Sequence, residues 1–286
     1  VIWRLRHTTT YGYAEPVDLA AHLAHLLPRP LAQQQVRATA LHVDPPPARE
    51  SRGRDHFGNH LAWLFLDRPH ERFSVTSEAE VEVGFPAPPE PDATPAWEEI
   101  AQAAPRSPEA AEFVFDSPLL PADPGARAYA AASFTAGRPV LAALLELNAR
   151  IRRDFAFRAG VTTVNTPVAT VLATRAGVCQ DFTHLMIAAL RAHGVPARYV
   201  SGYIRTRAAP GRERARGADQ SHAWVAAWMG AEHGWVMLDP TNDCVVREEH
   251  VVLGWGRDFG DVSPLRGVIL GGGKHSVAVA VDLEPA

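Results

Sequence analysis

In the stretch Arg175-Ala-Gly-Val-Cys-Gln-Asp-Phe-Thr-His184 a glycine-containing loop runs into an amphipathic helix. From Cys179 to His193 the apolar residues Phe182, Leu185, Met186, Ala189 and Leu190 recur at helical spacing, and Gly194 with Pro196 beyond is a stop signal. Upstream, Pro139 to Phe155 sets Val140, Leu141, Leu144, Leu145, Leu147 and Ile151 on one broad stripe, and a further helix starts near Pro167. Downstream the pattern changes to strands, predicted at Ala197–Arg205, Ser221–Met229, Gly234–Asp239 and Ser276–Leu283. Helices followed by antiparallel strands make an α+β arrangement.

Toward the N-terminus the helical period is absent. Strands are predicted at Val1–Tyr13, Gln35–Val43, Leu61–Leu66 and Arg72–Val83, the last with Phe73, Val75, Ser77, Ala79, Val81 and Val83 on one side. Strands at this spacing without helices predict a small antiparallel β domain over residues 1–85. Ten of the 24 prolines fall between Pro86 and Pro124, so residues 86–124 read as a linker wrapping the surface, with a short helical piece at Pro108–Phe115. Residues 125–286 then read as a second domain, the one that carries the helix beginning at Cys179.

Composition narrows the function. The chain of 286 residues carries 28 basic against 32 acidic residues, a net charge of −4, with no electrostatic footprint for nucleic acid. No run approaches the roughly 20 apolar residues of a membrane helix. Two cysteines, Cys179 and Cys244, make neither a disulfide framework nor a zinc ribbon. No basic-then-apolar leader is visible, which predicts a cytoplasmic location. Lys274 is the only lysine among the basic residues, a skew that codon bias accounts for.

Cys179 falls in the first turn of its helix, where free N–H groups and the positive end of the helix dipole favour a thiolate. A buried structural cysteine is the plain alternative, but such a residue belongs in the middle of the apolar stripe. The second element is Ser221-His-Ala-Trp-Val-Ala-Ala-Trp228, joined by a turn to Gly234-Trp-Val-Met-Leu-Asp239. Read as a hairpin with a four-residue loop, it sets His222 opposite Asp239; a register two residues away leaves them diagonal on one face, and an odd loop separates them. On one face, Asp239 can orient one imidazole nitrogen and leave the other for a cysteine.

Gly177-Val-Cys-Gln-Asp-Phe182, Ser221-His-Ala-Trp224 and Leu238-Asp-Pro-Thr-Asn242 together resemble the transglutaminase-like superfamily in its bacterial form. The resemblance extends to the opening strand with His7-Thr-Thr-Thr-Tyr11, to Phe57-Gly-Asn59, and to the tail from Gly256-Arg-Asp-Phe259 to Gly271-Gly-Gly273, and so covers nearly the whole chain. It implies a papain-like transglutaminase core, helices packed on an antiparallel sheet, behind an N-terminal β region. It also implies Cys179 as nucleophile, His222 as general base and acid, and Asp239 as orienter, acting on a glutamine carboxamide or a peptide bond of a protein or peptide substrate. The metal sites and extra domains of the calcium-dependent animal enzymes have no counterpart here, nor does their tryptophan upstream of the cysteine. No cofactor or metal is expected.

The Cys179 N–H is the natural first oxyanion donor; Gln180 and Asn165 are candidates for a second, and Trp224 is close enough to His222 to wall the site. The pairs His22/His25 and His56/His60 lack the spacing and partners of a metal site. Gly254-x-Gly256 with Gly260 is a poor dinucleotide fingerprint. Arg205, Arg207, Arg212, Arg214 and Arg216 form a basic loop before His222, ordinarily a solvated one, whose position would suit a rim selecting acidic substrates.

Overall fold

The structure is a computed structural model and describes residues 1–206 and 220–286. Strand β1 (Ile2–Ala24) is the spine of the first sheet, with β2 (Gln34–Asp44), β3 (Arg49–Arg54), β4 (His60–Leu66) and β5 (His70–Val83) in the order β2-β5-β1-β4-β3. The predicted alternation of β5 is real: Phe73, Val75, Ser77, Ala79, Val81 and Val83 are all buried. Strand β1 outruns the expected Val1–Tyr13 because a register irregularity between Gly12 and Val17 absorbs Pro16 and lets pairing resume beyond it. Strand β3 has the sequence Arg-Glu-Ser-Arg-Gly-Arg, with no apolar alternation; its charges suit an edge strand.

The proline-rich segment is not a surface wrap. It carries α1 (Trp97–Ala103), and Ile100, Ala104, Ala110, Phe113 and Leu120 enter the main core. Helices α2 (Pro124–Ala130) and α3 (Val140–Asp154) follow, then a short parallel pair, β6 (Ala156–Phe157) and β7 (Ala176–Gly177), flanking α4 (Val168–Thr174). Helix α5 (Cys179–Arg191) is buried along almost its whole length. At its end the buried Arg191 guanidinium donates to Phe113 O, Ser117 Oγ, Ala197 O and Arg257 O. Those bonds tether residues 113–117 to the core, because carbonyls there are satisfied by protein rather than water.

The second sheet is antiparallel: β8 (Ala197–Ile204), β9 (Gln220–Trp228), β10 (Trp235–Asp239), β11 (Cys244–Val245) and β12 (His250–Gly256), in the order β11-β10-β9-β8-β12. Ala223, Val225 and Ala227 of β9 join the core that holds α5, whereas Trp224 and Ala226 join Val200, Val246 and Val252 in a second cluster. After α6 (Phe259–Val262), strands β13 (Leu265–Gly271) and β14 (His275–Pro285) both pair with β1. The expectation that residues 125–286 form one unit therefore needs correction at its end, since the tail completes the first sheet. Local alternation in a tail cannot reveal which distant strand it will pair with.

Two buried amides tie the sheets together. Gln34 donates Nε2 to Val252 O at 2.8 Å and accepts from Val252 N at 2.7 Å. Asn59 donates Nδ2 to Trp255 O at 2.7 Å and accepts from Trp255 N at 3.0 Å. Each amide supplies the donor and acceptor that a neighbouring strand would offer, so together they close the outer edge of β12. No helix among the described residues is long and apolar enough to cross a membrane.

Candidate active site

The start of α5 is built around Asp181, which is buried. Its Oδ2 accepts from Val178 N and from Thr162 Oγ1, both at 2.7 Å. A Cβ at Gly177 would meet the Asp181 Cβ and Oδ2 at 2.8 Å each, so only glycine lets this carboxylate fold back over the helix start. Phe182 N donates to Val178 O at 3.1 Å as the first helical bond. Cys179 thus begins the helix with its side chain half-buried, beside the unpaired N–H groups of the first turn.

Strand pairing brings the other two groups together. Trp235 lies opposite Trp228 and Leu238 opposite Val225, so the ladder continued by one residue sets Asp239 opposite Trp224, diagonal to His222. His222 Nε2 lies 2.7 Å from Asp239 Oδ2. The Cys179 sulfur is near enough to the same imidazole to raise its pKa, and with Nε2 turned to Asp239, Nδ1 is the nitrogen free to meet it. Burial alone would lower the His222 pKa, but the Asp239 carboxylate and the Cys179 sulfur outweigh it and hold the imidazolium well above the ordinary histidine range. Burial likewise pushes Asp239 up, and its hydrogen bonds to His222 and His250 more than reverse this, leaving it far below the usual carboxylate range.

Asp239 is fully buried and saturated with donors. Thr241 N and Asn242 N reach Oδ1 at 2.9 and 3.2 Å, while Asn242 Nδ2 and His250 Nε2 approach Oδ2 at 2.6 and 3.3 Å. The Asp239-Pro-Thr-Asn242 turn therefore folds onto its own carboxylate. Asn242 and His250 were not singled out in the sequence. Asn242 is foreshadowed by that turn chemistry; His250 carries no local signal, because β12 joins the site only by pairing with β8.

The remaining candidates fall elsewhere. Gln180 donates its amide to Val164 O at 3.0 Å, which anchors the preceding loop rather than aiming a donor at the thiol. Asn165 is exposed in that loop, within a turn closed by Thr163 and Thr166. Trp224 is completely buried: its ring lies 6.0 Å from His222 and 5.1 Å edge-on to His250, and it backs the imidazoles from the core. Its indole occupies the space above Gly202, where a Cβ would fall 2.3 Å from the ring. Arg205 lies over the Trp3 ring at 4.9 Å; Arg207, Arg212, Arg214 and Arg216 lie outside the described residues. Cys244 pairs with Asp239 across β10 and β11, and burial, with the charges of Asp239, Glu249 and Asp243, pushes its thiol up to about 12.

Comparisons with known proteins match both halves of the chain. Residues 3–82 match the bacterial transglutaminase-like N-terminal region, and residues 127–240 match the transglutaminase-like superfamily. An uncharacterized Mycobacterium tuberculosis protein is 40% identical over 99% of this chain and 92% of its own length. A Mycobacterium leprae protein, also uncharacterized, is 33% identical over 99% of both chains. A Pseudomonas aeruginosa protein-glutamine gamma-glutamyltransferase is 41% identical over 69 residues, 24% of this chain and 10% of that one. Among solved structures, a Cytophaga hutchinsonii protein assigned provisionally as a cysteine protease superposes with a TM-score of 0.77 at 21% identity, over 99% of this chain and 90% of its own.

Proposed function

The chain belongs to the transglutaminase-like superfamily, and on that premise we propose that it is a thiol enzyme opening a glutamine carboxamide or a peptide bond through a Cys179 thioester. The observation that carries this reading is one imidazole set between two partners: His222 bonds Asp239 at 2.7 Å, and the Cys179 sulfur at the start of a helix raises the pKa of the same ring.

The Cys179 sulfur attacks the carbonyl carbon, and negative charge develops on oxygen beside the Cys179 N–H and the helix dipole. The C–N bond then breaks, and His222 gives its proton to the departing amine. A thioester remains. An incoming amine or water attacks it, His222 takes the proton, and the product is a new amide or an acid. Asp239 holds the imidazole in place throughout and stabilises its cationic form before the first proton transfer and after the second. The likeness to a protein-glutamine gamma-glutamyltransferase supports the glutamine side chain of a protein or peptide as the acyl donor.

The test is mass spectrometry on peptides bearing glutamine and susceptible peptide bonds, with a primary amine present and Cys179→Ala as control. Amine incorporation supports transamidation; deamidation or cleavage assigns the same thioester to hydrolysis. No product from the wild-type protein under any condition refutes the enzyme reading and leaves an interaction module of the same fold.

A further inference from the structure

Beside the proposed triad lies a second group of side chains, which shares Asp239 with it and adds two residues that the reaction does not use. Asp239, Cys244 and His250 offer one ligand atom each, all within 4.8 Å of one another. Cys244 is a free thiol, half-buried, on the strand paired with Asp239, and is the one member of the three open to solvent. His250 is 3% exposed, turns Nε2 toward Asp239 Oδ2 at 3.3 Å, and has a buried Nδ1 without a hydrogen-bond partner among the described residues. The 3.3 Å contact is the longest of those that Asp239 receives, so it is the first to yield.

We propose that Asp239, Cys244 and His250 form a site for a borderline divalent ion such as Zn²⁺, and that its occupation inhibits the enzyme by taking the carboxylate away from His222. One thiolate, one imidazole and one carboxylate form the mixed sulfur–nitrogen–oxygen set that Zn²⁺ accepts, with a fourth position left for water. Bonds of about 2.0 Å to nitrogen and oxygen and about 2.3 Å to sulfur place tetrahedral ligands about 3.5 Å apart. Closure from the present spacing needs about an ångström of side-chain movement, and Cys244, on a two-residue strand, is placed to supply it. On binding, the Cys244 thiol releases its proton to solvent and the Asp239–His250 contact is replaced by two coordinate bonds. Oδ1 keeps its backbone donors Thr241 and Asn242, and Oδ2, the atom that bonds His222, turns to the metal. Histidine pairs in the sequence do not reveal such a site, because its members lie on three strands.

The inhibitory consequence rests on the proposed role of Asp239; the binding site does not. The test is titration of the full chain with Co²⁺, read by the near-ultraviolet thiolate-to-cobalt band, with Zn²⁺ as competitor. The expected result is one ion per chain, with the band kept in Cys179→Ala, lost in Cys244→Ser, and affinity weakened by about tenfold or more in His250→Ala. Matching melting temperatures confirm that each variant is folded. A band that survives Cys244→Ser but vanishes in Cys179→Ala puts the metal on the nucleophile and overturns the site, as does an absence of binding to the wild-type chain. With turnover in hand, Zn²⁺ should inhibit the wild type at least tenfold more strongly than Cys244→Ser; equal inhibition overturns the coupling while leaving the triad intact.

Discussion

Replacing Asp239 by asparagine removes one charge and one acceptor at a point where the structure leaves no slack. Thr241 N and Asn242 N both require an acceptor at Oδ1, so the new amide must keep its oxygen there and turn its NH₂ toward His222, Asn242 and His250. Three groups that donated to Oδ2 then face a donor. His222 can accommodate this only as a neutral ring offering a lone pair from Nε2, with its proton on the side of Cys179. Without Asp239 to outweigh it, burial favours that neutral form. Losing a hydrogen bond to a charged group costs about 1.5–3 kcal/mol, which at about 1.36 kcal/mol per decade is about a 10- to 150-fold loss in the reactive ion pair. The assay is alkylation of Cys179 by limiting iodoacetamide between about pH 5 and 8, followed by mass spectrometry of the Cys179 peptide. The wild-type rate should pass through about pH 6.5, where an ordinary imidazole titrates, without a step. Equal rates for wild type and Asp239→Asn across that range would falsify the idea that Asp239 maintains the imidazolium.

The Asp239–His222 pair also sets a pH window for stability. Asp239, with its pKa lowered in the fold, stabilises above the ordinary carboxylate value and loses that contribution as pH falls through its folded value; His222, raised, contributes fully below about 6.5 and loses it as pH rises through its folded value. Urea denaturation should therefore show the widest gap between wild type and Asp239→Asn from about pH 4 to 6.5, and a gap that grows steadily above that range would contradict the assignment. Alkylation near neutral pH should label Cys179 and spare Cys244, whose thiol stays protonated up to about 12; comparable labelling of both refutes this contrast. Gly177→Ala forces the Asp181 carboxylate off Val178 N and Thr162, and an unfolding free energy lower by about 1–3 kcal/mol is expected; an unchanged value means the helix start tolerates the Cβ. Gln34→Leu leaves Val252 N without its acceptor and Arg29 O without its donor, while Val252 O keeps Arg29 N, and should cost on the order of 2–6 kcal/mol, at about 1–3 for each unsatisfied group, measured by the same denaturation.

What the sequence makes legible is whatever depends on near neighbours. The alternation from Phe73 to Val83 reports its own burial, because a strand facing one core needs no other information. The position of Cys179 follows from local stop and start signals around α4 and α5. The sequence leaves His222 and Asp239 on one face for an even loop and apart for an odd one, and the six-residue loop between Trp228 and Trp235 is even and produces the diagonal register rather than the direct one. Illegible parts depend on distant partners. Strand β12 is buried on both faces with a glycine inside it, so neither alternation nor composition marks it, and His250 goes unseen with it. The proline-rich segment looks like a surface wrap until Arg191, more than seventy residues on, supplies donors for Phe113 and Ser117. Strands β13 and β14 show no tendency of their own toward β1.

The N-terminal sheet is therefore better understood as part of the site's scaffold than as an attachment to it. A five-stranded sheet ending in β12 would leave the amides of Val252 and Trp255 unpaired at its edge, and β12 is the strand that presents His250 to Asp239. Gln34 and Asn59 fill that edge from the first sheet, and a Cβ on Gly254 would lie 2.6 Å from the Asn59 side chain, so the fit is made on both sides. The Phe57-Gly-Asn59 turn thereby acquires a physical reason: Asn59 must stand with donor and acceptor aligned to a strand almost two hundred residues away, and Arg29 helps hold it, bonding Asn59 Oδ1 at 2.8 Å. Because β1 in turn is held by β13 and β14, both chain ends converge on the strand behind the catalytic carboxylate proposed here. A substitution at Gln34 should for that reason slow Cys179 alkylation as well as lower stability, and a purely additive N-terminal domain would show only the second effect.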